Sequence, residues 1–290
     1  MIRDIIKSLR PQQWIKNFFI FAPLLFSRNI LDKALFFQTV LAFVAFALIS
    51  GSHYIFNDLR DLEEDRLHPL KSRRPLASGR LRKGPAVAAL GVFGAVGFSL
   101  AAAINLPFLL IAAGYFLLQT VYSMWLKHVV ILDIFIVAAG FVIRVVAGGL
   151  AIRVEISSWL LVCTMLLALF LAMGKRRHEL VLLDEEATSH RPILKEYNTY
   201  LLDQMISVVT ASTLVAYCLY TISEETVAKF GTRNLLFTVP FVLYGIFRYL
   251  YLIHQKAEGG TPESLIIKDR PLLVDIFLWA AAAVLILELR

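Results

Sequence analysis

Charge is scarce in this 290-residue chain: 18% of the residues are Asp, Glu, Lys or Arg, against 58% hydrophobic. With a mean hydropathy of +0.69, the chain is far more apolar than a soluble domain of its length. That scarcity excludes a water-soluble globular enzyme and predicts an all-α, polytopic integral membrane protein. Cysteine is scarcer still. Cys163 and Cys218 are the only two, each inside an apolar run without a partner at metal-ligand spacing, so neither a disulfide framework nor a zinc site is supported and packing is the expected role. No nucleotide-binding loop, nucleophile elbow, zinc helix or nucleic-acid motif is present, so the chemistry must come from metal, phosphate and lipid. The net charge of +7 is then explained by cytoplasmic loops against anionic lipid and by sites for anionic substrates, with no nucleic acid as partner. The first apolar run is interrupted by Pro23 and ends in Phe26-Ser27-Arg28 without a small-x-small pattern, which predicts a retained span and no cleaved signal peptide. Internal repeats and linkers are also lacking, and one integral domain over 1–290 is expected.

What is there in abundance is long apolar runs. Measured against a hydrocarbon core of about 30 Å, nine spans are expected: Gln13 to Phe26, Ala34 to Phe56, Pro85 to Ile104, Pro107 to Trp125, Val129 to Ile152, Ser157 to Gly174, Leu201 to Ile222, Leu235 to Ile253 and Leu272 to Leu289. The first is short and holds Lys16, Asn17 and Pro23, so it is expected to begin as an amphipathic interfacial helix. Lys and Arg crowd the loops of one side: Arg3, Lys7, Arg10 and Lys16, then Arg60 through Lys83, Lys127, Lys175 to Arg177, Arg191, Lys195, Lys256, Lys268 and Arg270. By the positive-inside rule that side, with the amino terminus, is cytoplasmic. The long polar connections all fall there, which favours an enzyme with a cytoplasmic active-site mouth over a channel or alternating-access transporter. Gly91, Gly94 and Gly97, and Gly148 and Gly149, are expected to let helices approach closely.

The densest charge in the chain is the stretch NDLRDLEEDRLHPLKSRRPLASG, Asn57 to Gly79. Asp58, Asp61 and Asp65 are spaced i, i+3, i+7; if the segment stays helical their carboxylates share an arc of roughly 60°. Like charges so placed repel unless a divalent cation lies between them, and magnesium takes one or two carboxylates and fills its shell with substrate phosphates. Lys71, Arg73 and Arg74 follow within one short connection and supply positive charge for phosphate oxygens. A magnesium-diphosphate site is the natural reading; a solvated charged loop is the bland one.

Other polar groups are fewer. Gly174-Lys175-Arg176-Arg177-His178-Glu179 closes the sixth span and leads to Asp184, Glu185, Glu186 and Arg191; Lys175 and Glu179 share a helix face. The run is expected to hold a second metal or orient a phosphate, or else to anchor the span. Arg144 lies mid-span, where an unpaired guanidinium costs at least about 2.5 kcal/mol on insertion scales, so it is expected to face a polar cavity and bind a carboxylate or phosphate. Asp133 is expected to pair with Lys127 or with the sugar ring of a substrate, and Tyr122 and Lys127 to reach a phosphate from the opposite wall. His53, one turn before Asn57, reads as a packing residue. Trp14 suits the headgroup level, and Lys16 beside it can meet a lipid phosphate.

Asn57-Asp58-x-x-Asp61-x-x-x-Asp65, nine spans and a charged connection after the sixth resemble the UbiA superfamily of intramembrane prenyltransferases over essentially the whole chain. LRPQQWIKN, the Asn57–Gly79 run, YSMWLKHVVILDIFIVAAGFVIR and KRRHEL resemble its decaprenyl-phosphate phosphoribosyltransferase branch, which makes decaprenylphosphoryl-5-phosphoribose for arabinan synthesis. The resemblance implies a nine-helix bundle of the UbiA type in a bacterial-type cell membrane, with trimers occurring in the branch. It implies that polyprenyl phosphate attacks the anomeric carbon of 5-phosphoribose 1-diphosphate and diphosphate leaves. In that reading Asp58, Asp61 and Asp65 hold Mg2+, Asn57 orients the group, Lys71, Arg73 and Arg74 neutralise the leaving charge, and Lys127, Lys175, Arg176 and Arg144 grip the sugar and lipid phosphates. The chain departs from aromatic prenyltransferases, which carry a second D-x-x-x-D where this one has Lys175, Arg176 and Glu179. Two rival readings stand beside it: an aromatic prenyltransferase using polyprenyl diphosphate, and a non-catalytic carrier of anionic lipid.

Overall fold

A computed structural model describes residues 1–67, 71–183, 192–256 and 262–288. All regular elements among the described residues are helical, as an apolar solvent requires of segments that must satisfy their own backbone groups. The chain divides into two compact units, Met1–Lys127 with Ile143–Glu155 and His128–Val142 with Ile156–Arg290.

The first unit opens with α1 (Ile2–Ser8), a 3-10 helix (Pro11–Phe21) and α2 (Ala22–Leu25). There follow α3 (Lys33–Arg60), α4 (Leu62–Leu67), α5 (Lys83–Ile104) and α6 (Leu106–Met124). Helix α7 (Leu132–Ile152) begins in the second unit and ends in the first. Asp32 and Asn105 cap α3 and α6, accepting from the Leu35 and Phe108 amides. The core of this unit joins Ile20 and Leu24 to Phe46 and Ile49 of α3, Phe108 and Tyr115 of α6, and Ala147 and Ala151 of α7.

The second unit continues with α8 (Ser158–Leu183), α9 (Thr199–Ile222), α10 (Glu224–Phe230), α11 (Val239–Gln255), α12 (Pro262–Lys268) and α13 (Arg270–Glu288). Phe170 of α8 and Tyr249 of α11 meet edge to face at 5.0 Å. Gly174 lets that tyrosine lie close, since an added Cβ would stand 3.2 Å from its ring.

Among the described residues, eight helical stretches are long and apolar enough to cross a membrane: Lys33–Arg60, Lys83–Ile104, Leu106–Met124, Leu132–Ile152, Ser158–Val181, Thr199–Ile222, Asn234–Gln255 and Arg270–Leu287. They are the second to ninth expected spans, and the protein is a multi-pass membrane protein. Large apolar side chains such as Phe37, Leu117, Phe247 and Phe277 face outward on them, as suits helices bathed in hydrocarbon. Thr39, Thr120, Ser207 and Thr213 return their hydroxyls to the carbonyl four residues earlier, so no donor is stranded there.

The expected first span takes another form, the 3-10 helix followed by the single turn of α2. Pro23 has no amide hydrogen for the Phe19 carbonyl, and Ala22 donates to it instead in the tighter i−3 pattern. A Cβ on Gly148 would overlap the Ile20 carbonyl, so the bare glycine is what lets this segment lie against α7. Gly148→Ala is therefore expected to destabilise the protein by about 1–3 kcal/mol through overpacking, read as a lower Tm in detergent. Gly91→Ala, with nothing within 4 Å of the added carbon, is the silent control. Of the three α5 glycines, Gly97 and Gly94 approach Ile49 and Ser52 of α3, while Gly91 faces open space.

Outside the spans, Asp269 ties the start of α13 to α11. Its carboxylate accepts from Arg248 Nε and Nη2 at 3.1 and 2.7 Å and from the Leu272 amide at 2.9 Å. The Arg248 hydrogen bonds hold its carboxyl below the usual aspartate range against the opposing effect of burial. A depressed value means that this stabilisation is complete above the ordinary aspartate pKa of about 3.9 and is lost as the pH falls through the lower folded value. Melting curves of wild type and Asp269→Asn should differ at pH 5 to 7 and converge only in stronger acid.

Candidate active site

Helix α3 ends at Arg60, and Asp61 leaves the helical region at φ −88° and ψ 19°. The backbone register nevertheless continues, because the Asp61 amide donates to Asn57 and the Asp65 amide to Asp61 at 2.9 and 2.8 Å. Asp58 and Asp65 are thereby turned inward, each 2% exposed, and they share one cation. Arg74 Nη1 lies 3.1 Å from Asp58 Oδ1 and 2.5 Å from Asp65 Oδ2. Arg10 also donates to Asp58, reaching it from a left-handed backbone position at φ 51° and lying 4.9 Å over the Tyr54 ring. Lys71 Nζ stands 3.7 Å from Asp65.

Asp61 takes a different set of partners, Lys127 at 3.4 Å and Arg60 at 3.8 Å. Arg60 Nη1 donates to Ser123 Oγ at 3.1 Å, which donates to Asn57 Oδ1 at 2.7 Å, while Asn57 Nδ2 approaches His53 Nδ1 at 3.3 Å. Asn57 is thus held at both ends of its amide. Arg73 is exposed, and its carbonyl accepts from Arg80. Lys16 and Tyr122 are half-buried on the 3-10 helix and near the end of α6.

The expected trio of carboxylates is divided two and one, and among the described residues no group of three His, Cys, Asp or Glu is disposed to hold a metal ion. The donor chemistry still fits magnesium. Two buried carboxylates present hard oxygens to a single positive nitrogen, Arg74 Nη1, and a divalent ion bound by two carboxylates with phosphate oxygens needs that same arrangement. Arg74 is a stand-in cation there, and its side chain is long enough to turn toward a phosphate instead.

Arg144 is 4% exposed, as its insertion cost demands, and its contacts include neutral partners. Nε donates to Asn17 Oδ1 and Nη2 to the Tyr115 hydroxyl, both at 2.8 Å, and the guanidinium lies over the Phe46 and Tyr115 rings. Asn17 also reaches Ser50 at 3.4 Å. Where the sequence pointed to a carboxylate or phosphate, these contacts use the guanidinium to clamp the 3-10 segment, α6 and α7 of the first unit together.

In the second unit Asp133 is fully buried, and its partner is Arg176, not Lys127. Arg176 Nε donates to Asp133 Oδ2 and Nη1 to Glu179 Oε2, each at 2.7 Å, while Lys175 Nζ stands 4.0 Å from Glu179. Arg177 turns the other way and pairs with Asp203 at 2.6 Å. The other oxygen of Asp133 accepts from the Tyr197 hydroxyl at 2.8 Å, and that hydroxyl accepts from the Ile131 amide at 2.6 Å. Ile131 sits at φ 68°, a conformation that β-branched residues rarely adopt and that costs on the order of 1–3 kcal/mol. Burial and donation to Asp133 push the Tyr197 phenol up to about 12. Asp184, Glu185, Glu186 and Arg191 lie outside the described residues.

Arg10, Ser123, Asn17, Tyr115 and Tyr197 were given no site role from sequence. Arg10 had a local signal, a basic residue between Leu9 and Pro11 next to the interfacial Trp14. The others are polar residues in or beside apolar helices, and nothing near them in sequence marks their partners.

Residues 18–280 match the UbiA prenyltransferase family. The chain is 31% identical to the decaprenyl-phosphate phosphoribosyltransferase of Mycolicibacterium smegmatis, over 96% of this chain and 91% of that protein. It is also 31% identical to the protein of the same name from Corynebacterium glutamicum, over 97% and 86%. Among solved structures, a UbiA homolog from Archaeoglobus fulgidus bound to GPP and Mg2+ superposes with a TM-score of 0.74 at 20% identity, covering 98% of this chain and 99% of that one, which speaks to the fold. With the helical architecture and the paired-carboxylate cluster already in place, the chain belongs to the UbiA prenyltransferase family.

Proposed function

We propose that this protein transfers 5-phosphoribose from phosphoribosyl diphosphate to a polyprenyl phosphate and releases diphosphate. The observation that carries this is full-length similarity, at 31% identity, to relatives named decaprenyl-phosphate phosphoribosyltransferase. An oxygen of the lipid phosphate forms the new bond to the anomeric carbon, and diphosphate departs with the electron pair of the broken one. The nucleophile is already an anion, so no strong base is needed, and the wall of the site has only to stabilise leaving charge.

Asp58 and Asp65 would hold Mg2+, which when bound would supply positive charge to the departing diphosphate, while Asp61 stays with Lys127 and Arg60. Arg74, Arg10 and Lys71 take phosphate oxygens, and Asn57 is kept in one orientation by Ser123. In the second unit Lys175 and Arg176 are the proposed grip for a phosphate monoester, with Glu179 and Asp133 fixing the guanidinium. Lys127, Tyr122 and Lys16 are proposed phosphate contacts, and the apolar helix walls hold the polyprenyl tail.

A ninth crossing by the 3-10 segment, a cytoplasmic amino terminus and mouth, and a single catalytic domain belong to the same reading. Eleven residues at about 2.0 Å and four at about 1.5 Å cover about 28 Å, close to the hydrocarbon thickness. The family match over 18–280 supports one domain, and the side carrying most Lys and Arg supports the orientation. Purified protein given labelled phosphoribosyl diphosphate and polyprenyl phosphate should form labelled lipid. Prenylation of an aromatic acid from polyprenyl diphosphate, with no labelled lipid, would overturn the proposal.

A further inference from the structure

In the second unit one hydroxyl stands where two otherwise separate pieces of backbone and side chain meet. Tyr197 follows the 3-10 turn Pro192–Glu196 and is buried, with its oxygen fully used. It accepts the Ile131 amide hydrogen at 2.6 Å and donates to Asp133 Oδ1 at 2.8 Å. A phenol has one hydrogen to give, so this arrangement fixes the direction of both bonds. The acceptor half holds the turn at Ile131 in its unfavourable positive-φ conformation. The donor half pins one oxygen of a carboxylate whose other oxygen receives Arg176 Nε at 2.7 Å. With both oxygens held, the Asp133 carboxylate cannot rotate, and the plane of the Arg176 guanidinium is set with it, its Nη1 edge at Glu179.

We infer that Tyr197 is a positioning residue for the second unit's phosphate-monoester grip: its hydroxyl locks the Ile131 turn to Asp133 and through Asp133 aims Arg176. Without the hydroxyl, the Ile131 amide loses its acceptor and the turn is free to relax to negative φ. That moves the backbone two residues before Asp133, while the carboxylate gains freedom to pivot. Arg176 keeps its charge but loses a defined direction, and planar recognition of phosphate by guanidinium depends on direction. The inference rests on the proposed role of Lys175 and Arg176 as a phosphate-monoester grip, where the monoester is either the 5-phosphate of the sugar or the phosphate of the lipid.

Equilibrium binding to the purified full chain in detergent separates the two sources and needs no turnover. The probes are ribose 5-phosphate, farnesyl phosphate and inorganic diphosphate, each radiolabelled. Tyr197→Phe keeps the ring and removes the hydroxyl; it should weaken one monoester about tenfold and leave diphosphate binding within twofold. Selective loss of ribose 5-phosphate assigns the grip to the sugar, and selective loss of farnesyl phosphate assigns it to the lipid. A purely structural role predicts equal losses for all three probes, or none, and either result overturns the inference. Should Tyr197→Phe not fold, Asp133→Asn keeps the shape of the side chain, and the same selective loss is expected of it. Wild-type protein that binds neither monoester would overturn the grip and this inference together, whereas normal wild-type binding left unchanged in the variant overturns the inference alone.

Discussion

Asp58→Asn should reduce transfer of labelled phosphoribose to polyprenyl phosphate by at least about 10²–10³-fold, the scale reached when one preorganised electrostatic partner of a developing charge is lost. Asp58 is the hinge of the first-unit cluster: a buried carboxylate touched by two guanidiniums, one of which it shares with Asp65. The asparagine has nearly the same shape, so the packing of α3 is preserved and the loss is one of charge. Arg74 keeps Asp65 as an anionic partner, which limits the damage to the fold, and the melting temperature should shift by a few degrees at most. Asp61→Asn acts from a separate pair of partners, Lys127 and Arg60, and its defect should multiply with that of Asp58→Asn if both reach the same reaction. A non-catalytic lipid carrier would keep its lipid transport in both variants. Retention of more than a tenth of wild-type turnover by Asp58→Asn at saturating Mg2+ would remove this carboxylate from the reaction.

The same cluster shows what a sequence can disclose. The spacing of Asp58, Asp61 and Asp65 was informative because i→i−4 hydrogen bonds run through the break at Asp61, so helical arithmetic still placed Asp58 and Asp65 together. Which cation meets which carboxylate was not informative, because the partners are remote: Arg10 lies 48 residues before Asp58, and Lys127 lies 66 after Asp61. The eight long spans were legible since uninterrupted apolar runs of that length have no other stable place. The packing of the first segment was hidden, because its partners Gly148 and Arg144 lie more than a hundred residues away. For Arg144 the cost of burial foretold that partners must exist, but charge alone did not tell that an amide, a phenol and two aromatic rings were among them. Asp133 is the same lesson with the partner exchanged. Lys127 was the nearest cation along the chain, yet the carboxylate found Arg176, 43 residues on.

Asp133→Ala is the substitution expected to harm the fold most. The carboxylate is fully buried, and Arg176 beside it is 4% exposed. Removing one partner of a buried pair leaves the other charge without its compensation, at about 3–5 kcal/mol. Glu179 retains one bond to Arg176 and softens the loss, but the Tyr197 hydroxyl is left with no carboxylate to receive its hydrogen. If the pair served only stability, Asp133→Ala combined with Arg176→Met would recover most of the loss, since apolar replacement of a buried pair is often neutral or stabilising. Recovery of stability without recovery of transfer is the expected result, because the double variant has a packed interior and no guanidinium. Thermal melts and the labelled-lipid assay on the same four proteins complete a double-mutant cycle, in which a double variant more stable than Asp133→Ala yet no less and no more active than Arg176→Met separates the two roles of Arg176. A double variant that melts like wild type and also turns over like wild type would show the Asp133–Arg176 pair to be a packing device alone.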